Sequence, residues 1–206
     1  ERRLDNGLVV QVAQRPGLPL VSLMLAVRNG PEADPAGRSG TAEMLAQLWP
    51  KGALRGGRPV GASDVARQAE ALGSPVESRS SWGAGTLAMA VARPHADAAL
   101  ALLADLLRRP LLAADELDRA RAQALDALRV TLGNPGEVAG LVLRRSAWGD
   151  VPHGRTPAPA ALQRLAVADV RAWQTTWVRP DRVALVLAGD ITPDDGLALA
   201  QRLLGD

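Results

Sequence analysis

Residues 34–53 read Asp34-Pro35-Ala36-Gly37-Arg38-Ser39-Gly40-Thr41-Ala42-Glu43-Met44-Leu45-Ala46-Gln47-Leu48-Trp49-Pro50-Lys51-Gly52-Ala53. The first part continues a stretch, residues 31–40, whose prolines and glycines exclude regular structure. From Thr41 the apolar positions Ala42, Leu45, Ala46, Leu48 and Trp49 recur at helical spacing until Pro50 and Gly52 stop them. A loop therefore feeds a short helix. That helix sets Glu43 and Gln47 four residues apart on one face, a spacing that ordinarily makes only a solvated pair. Their meaning depends on what surrounds them.

Upstream, Leu20–Val27 is apolar at nearly every position, as expected of a central strand with both faces covered. Before it, Asn6-Gly7 between Arg3-Leu4-Asp5 and Leu8-Val9-Val10-Gln11-Val12 predicts a hairpin on a type I′ turn. Downstream, a loop through Gly56-Gly57 leads to a helix over 63–73 with Ser63 as N-cap. Alternation over 76–80 and 85–92 around Trp82-Gly83 predicts a second hairpin. Helices follow at 97–109, 113–132 and 137–148, then a loop over 149–159 and a helix over 167–177 stopped by Arg179-Pro180. A strand at 182–188 and a closing helix capped by Thr192-Pro193-Asp194-Asp195 complete the chain. This order predicts an α+β fold, helices packed against a largely antiparallel sheet, as a single domain over residues 1–206.

Composition narrows the function classes. With 206 residues, 47% of them apolar, the chain can bury a sizeable core. Twenty-four basic against 22 acidic side chains give no field that would favour nucleic acid. With no Phe and no Tyr, five Trp are the only aromatics, which argues against a reader that stacks the bases of single strands. Cysteine is absent, which removes disulfides, thiolate metal sites and a cysteine nucleophile. No apolar run is long enough to span a membrane. The sequence opens without Met and with no signal core, and reads as part of something longer. His95 and His153 are too far apart in sequence for the i,i+4 pairing that aims two imidazoles at one metal, and both read as surface residues. No nucleophile elbow or phosphate-cradling loop is present.

The frame around Glu43 and Gln47 resembles the opening domain of pitrilysin-like zinc peptidases, the inverzincin group that includes insulysin and mitochondrial processing peptidase. The resemblance runs through Leu4-Asp5-Asn6-Gly7-Leu8-Val9-Val10, Pro19-Leu20-Val21-Ser22-Leu23 and the loop Asp34–Gly40. It continues at Glu70-Ala71-Leu72-Gly73, Leu107-Arg108-Arg109-Pro110 and Trp148-Gly149-Asp150 with Pro152-His153-Gly154-Arg155. It closes at Trp177-Val178-Arg179-Pro180 and Val186-Leu187-Ala188-Gly189-Asp190, so nearly the whole chain is covered in family order.

In active members the helix after the loop carries His-x-x-Glu-His, two zinc ligands and a general base. The resemblance puts Glu43 at the first histidine, Ala46 at the base and Gln47 at the second histidine, and Ala127, beside Asp126, at the third ligand on a later helix. It thus implies a domain with no catalytic residues, no cofactor and no metal of its own, zinc being held by a catalytic partner half. Only if Asp126 faced inward with Glu43 could two carboxylates hold a hard cation. The implied role is that of a non-catalytic domain closing a peptide chamber, the catalytic half lying in the same chain or a separate subunit, with peptide as the substrate. The rival is a pure scaffold, as in relatives built into respiratory complexes. A third reading, chemistry at His153 and Arg155, rests only on their adjacency. No nucleic acid or membrane partner is expected, relatives occur in both cytoplasm and periplasm, and an isolated domain of this kind is expected to pair as a homodimer through the face a sibling would cover.

Overall fold

The computed structural model describes residues 1–156 and 158–206. Strands β1 (Arg2–Arg3) and β2 (Val9–Gln14) form the first hairpin. Its turn differs from the expectation. The Gly7 N–H donates to the Leu4 carbonyl (2.9 Å) and the Leu4 N–H to the Leu8 carbonyl (2.9 Å), and only Gly7 (φ 92°) is left-handed. This is a three-residue loop ending in a left-handed glycine. Asn6 is held elsewhere: its Oδ1 accepts from the Leu8 N–H (3.1 Å) and its Nδ2 donates to the Leu204 carbonyl (2.6 Å), tying the turn to the end of the chain. The two-residue type I′ geometry occurs instead at Gly56-Gly57 (φ 55° and 77°), which joins β4 (Gly52–Arg55) to β5 (Arg58–Gly61). The stretch expected to be a plain loop is thus a small second sheet. Because β5 runs directly into α2 (Ala62–Ala71), the N-cap is Gly61 and Ser63 lies inside the first turn.

Six strands make the main sheet in the order β1-β2-β8-β3-β7-β6, with β3 at Leu20–Val27, β6 at Glu77–Ser81, β7 at Ala84–Ala92 and β8 at Val183–Gly189. Every neighbouring pair is antiparallel except β2 with β8. β3 is central, but only one of its faces is covered. Val21, Leu23, Leu25 and Val27 are buried while Leu20, Ser22 and Met24 are exposed, so the long apolar run that predicted two covered faces serves one.

Helices α1 (Thr41–Leu48), α3 (Ala96–Arg108) and α8 (Pro193–Leu204) pack on the covered face. In α3, Ala99, Leu100, Leu103 and Leu106 have no accessible surface, and each such leucine contributes about 1.5–3 kcal/mol. α8 lies close on the sheet through Gly196, where an added Cβ would stand 2.8 Å from Val12 Cγ2. Around these lie α4 (Ala114–Gly133), α5 (Pro135–Trp148), a short α6 (Pro159–Arg164) that the sequence reading leaves unassigned, and α7 (Val167–Trp177). Trp49, buried at the end of α1, donates from Nε1 to Gln174 Oε1 (3.3 Å), and Gln174 Nε2 donates to the Leu107 carbonyl (2.6 Å), so one polar bridge links α1, α7 and α3.

Candidate functional site: the cleft between α1 and α4

The start of α1 is fixed from a distance. Asp34 is buried, and its Oδ2 accepts from the Gly40 N–H (2.7 Å) and its Oδ1 from the Ala42 N–H (2.9 Å). These are donors that a helix terminus leaves unpaired. Burial pushes the carboxyl up to about 6 against the lowering by these same backbone bonds. Gly40 (φ 100°) cannot be replaced at no cost, since a Cβ there would stand 2.6 Å from Leu162 Cδ2. Arg155 Nη1 donates to the Asp34 carbonyl (2.6 Å), so the loop carrying His153 clamps the same segment.

So positioned, α1 turns Glu43, Ala46 and Gln47 into a cleft of about 790 Å³. Successive turns of α4 supply Glu116, Arg119, Gln123 and Ala127 to the facing wall, and Lys51 and Ser78 close its third side. Ser78 Oγ donates to the Ala46 carbonyl (2.6 Å), fixing β6 to α1. Arg119 is held by Asp115 (2.7 Å) and Glu116 (2.8 Å), which neutralise it. Neither Glu43 nor Lys51 takes part in any ion pair among the described residues. The cleft therefore keeps one free carboxylate and one free ammonium, with amides of Gln47 and Gln123 that can both donate and accept. Among the described residues one edge of β6 has no strand beside it, and β6 borders this cleft through Ser78.

The structure thus brings Glu43, Ala46, Gln47 and Ala127 to one cleft. Asp126 is not with them: it is exposed and pairs with Arg129 (2.7 Å), so the condition for a two-carboxylate site with Glu43 is not met. The four aligned positions do not fit zinc, whose protein sites combine imidazole or thiolate with carboxylate donors: Glu43 is their one carboxylate and Gln47 an amide, beside Ala46 and Ala127. Among the described residues no three His, Cys, Asp or Glu side chains converge. His95 is exposed in the short turn before α3. His153 lies between Trp82 (4.2 Å between ring centroids) and Trp148 (5.1 Å), while Arg155 is taken up by the Asp34 carbonyl, so the two share no site.

Lys51, Ser78, Arg119 and Gln123 were not singled out by sequence. The i,i+4 ladder Arg119-Gln123-Ala127 was a readable signal, since it shares the face of the aligned third-ligand position. Ser78 carried none, because its place depends on β6 packing beside α1.

The family model described as Insulinase (Peptidase family M16) matches residues 9–156, and that described as Peptidase M16 inactive domain matches residues 164–206. Among curated proteins none matches. A peptidase M16 inactive domain from Pseudomonas fluorescens superposes with a TM-score of 0.90 at 21% identity over 98% of this chain and 49% of its own. A protease from Helicobacter pylori gives 0.87 at 19% identity, over 100% of this chain and 49% of its own. The periplasmic protease PqqL from Escherichia coli gives 0.84 at 17% identity, over 100% of this chain and 23% of its own. The chain therefore spans about half the length of the first two relatives and about a quarter of the third, and at these identities the likeness is one of fold. Among the described residues no helix is long and apolar enough to cross a membrane.

Proposed function

Because the chain belongs to peptidase family M16, we propose that it acts as a non-catalytic domain lining a peptide-binding chamber, and that cleavage is done by a zinc-bearing half in the same polypeptide or a separate subunit. On this reading residues 1–206 form one domain, the first of an inactive half. The observation that carries it is the cleft itself. The groove between α1 and α4 is roomy and lined by charged and amide groups, while Glu43, Ala46, Gln47 and Ala127 give it one carboxylate and no imidazole, and no three potential metal ligands converge among the described residues. A cleft with paired amides beside an open strand edge suits extended backbone, which satisfies its hydrogen bonds by adding to a sheet.

The scaffold reading draws support from a different surface. Leu20 and Met24 on the open sheet face and Val142, Leu143 and Trp148 on α5 are exposed, as a surface covered by a partner would be. The same open face supports pairing of isolated copies.

The test joins metal analysis with peptide binding. The purified chain should contain zinc well below one equivalent and show no chelator-sensitive cleavage of a quenched peptide, yet bind a labelled unstructured peptide saturably. Gln47→Ala with Gln123→Ala should weaken that binding about tenfold or more, near 1.4 kcal/mol. Stoichiometric zinc with chelator-sensitive cleavage would overturn the non-catalytic reading. No peptide binding at all would favour the scaffold.

A further inference from the structure

Beyond Lys51 the cleft does not end. A second groove, about 600 Å³, opens between α2 and the segment 73–76, and the two share Pro50, Lys51 and Val76. Their linings differ in kind. The first is polar, whereas the second is walled by Ala62, Ala66, Ala69, Pro75 and Val76, with Lys51 at its mouth and Glu70 as its other charged lining residue. Its volume lies in the range of pockets that hold small ligands or several side chains. Lys51 is the only lysine of the chain, stands exposed at the junction and has no carboxylate partner among the described residues.

We infer that this apolar groove is the side-chain subsite that selects the peptide: it seats a short aliphatic stretch, and Lys51 receives an acidic residue next to that stretch. The inference rests on the proposed peptide-binding role and specifies its substrate class. The occupant follows from continuity and charge. A chain lying along the polar cleft has Lys51 as its next contact and an apolar slot immediately after, so an acidic-then-aliphatic pattern matches the order of the wall. An aliphatic side chain leaving water for this slot gains in proportion to the apolar area it buries, and a polar one gains nothing comparable.

Fluorescence anisotropy with two labelled peptides, one carrying Asp beside Leu-Val-Leu and one with the aliphatics changed to Ser, tests this on the full chain. The first should bind at least about tenfold more tightly. Ala66 is exposed on α2, so Ala66→Arg keeps a good helix former, leaves the melting temperature in place and should abolish that difference by filling the slot. Lys51→Glu should reverse the preference between the Asp peptide and one carrying Lys in its place. Equal binding of the two peptides, or no loss on Ala66→Arg while Gln47→Ala still weakens binding, would overturn the subsite and leave the peptide-binding role standing. If neither peptide binds, the role itself fails and the subsite with it.

Discussion

Asp34 sets two opposing demands on one carboxyl group. It must accept the Gly40 and Ala42 N–H groups that start α1, and it must do so from a buried position that disfavours its charge. Its value rises from 3.8 to about 6 in the fold. The folded state therefore holds the proton more tightly than the unfolded one, and the associated stability is complete below about pH 4 and lost as pH rises through 6. The urea midpoint should fall over that window by an amount corresponding to about 2–3 kcal/mol. Asp34→Asn should flatten this dependence, because the amide has no proton to lose; a slope unchanged in the variant would assign the titration elsewhere. Asp115 and Asp206, held low by hydrogen bonds from Arg119 and Arg108, act in the opposite sense and only under more acidic conditions. None of this was legible in sequence. A local cap announces itself by spacing, as Thr192 did three residues before Asp195, whereas the Asp34 bond to Ala42 reaches across eight residues of irregular loop.

At the scale of elements, legibility followed length and amphipathicity. The helices α3, α4, α7 and α8 and the strands β3, β7 and β8 stand close to where periodicity predicts them, because each buries one face, whereas α5, with no buried residue, is marked by Asn134-Pro135 before it and Gly149 after it. The β4–β5 hairpin escaped because Arg55 and Arg58 flank its glycines and hide the alternation that marks a strand, and α6 is only six residues long. Packing between elements gives two further expectations. Gln174→Leu would leave the Trp49 indole N–H and the Leu107 carbonyl unpaired in the core, at a cost of about 2–4 kcal/mol by denaturant titration. Gly196→Ala sets about 1 kcal/mol of helix propensity against a methyl forced onto Val12 and Leu187. Overpacking of about 1–3 kcal/mol should win, lowering the melting temperature; a gain in stability would mean that α8 can lift from the sheet.

Over the whole molecule, one sheet face is covered by helices and the other is not. Leu20 and Met24 point outward among small residues of β3, β7 and β8. The average mass by light scattering should rise with concentration, and Met24→Lys should return it toward the monomer; a mass that never exceeds the monomer's 21.6 kDa would set that face aside as an association surface. The sequence could not separate a strand covered on both sides from one covered on one side, because Leu20–Val27 is apolar on both faces and only the neighbouring chain decides what covers it. The site was more legible than its shape. The α1 and α4 positions that share the cleft lie far apart in sequence and were paired by resemblance to a family frame, while the groove past Lys51 needed α2 to be seen against Pro75 and Val76.

The place of β8 has a temporal consequence. It is a late strand of the chain, yet it sits between β2 and β3. Until residues 183–189 leave the ribosome, β1 and β2 on one side and β3, β7 and β6 on the other have no hydrogen-bonded link. The nascent chain must carry two unsealed strand edges and their apolar side chains from the time β3 emerges until β8 follows. Closure of the sheet is then a long-range event with a high contact order, which makes folding slow. The half-built sheet is therefore exposed to pairing with other strands until β8 arrives to seal it.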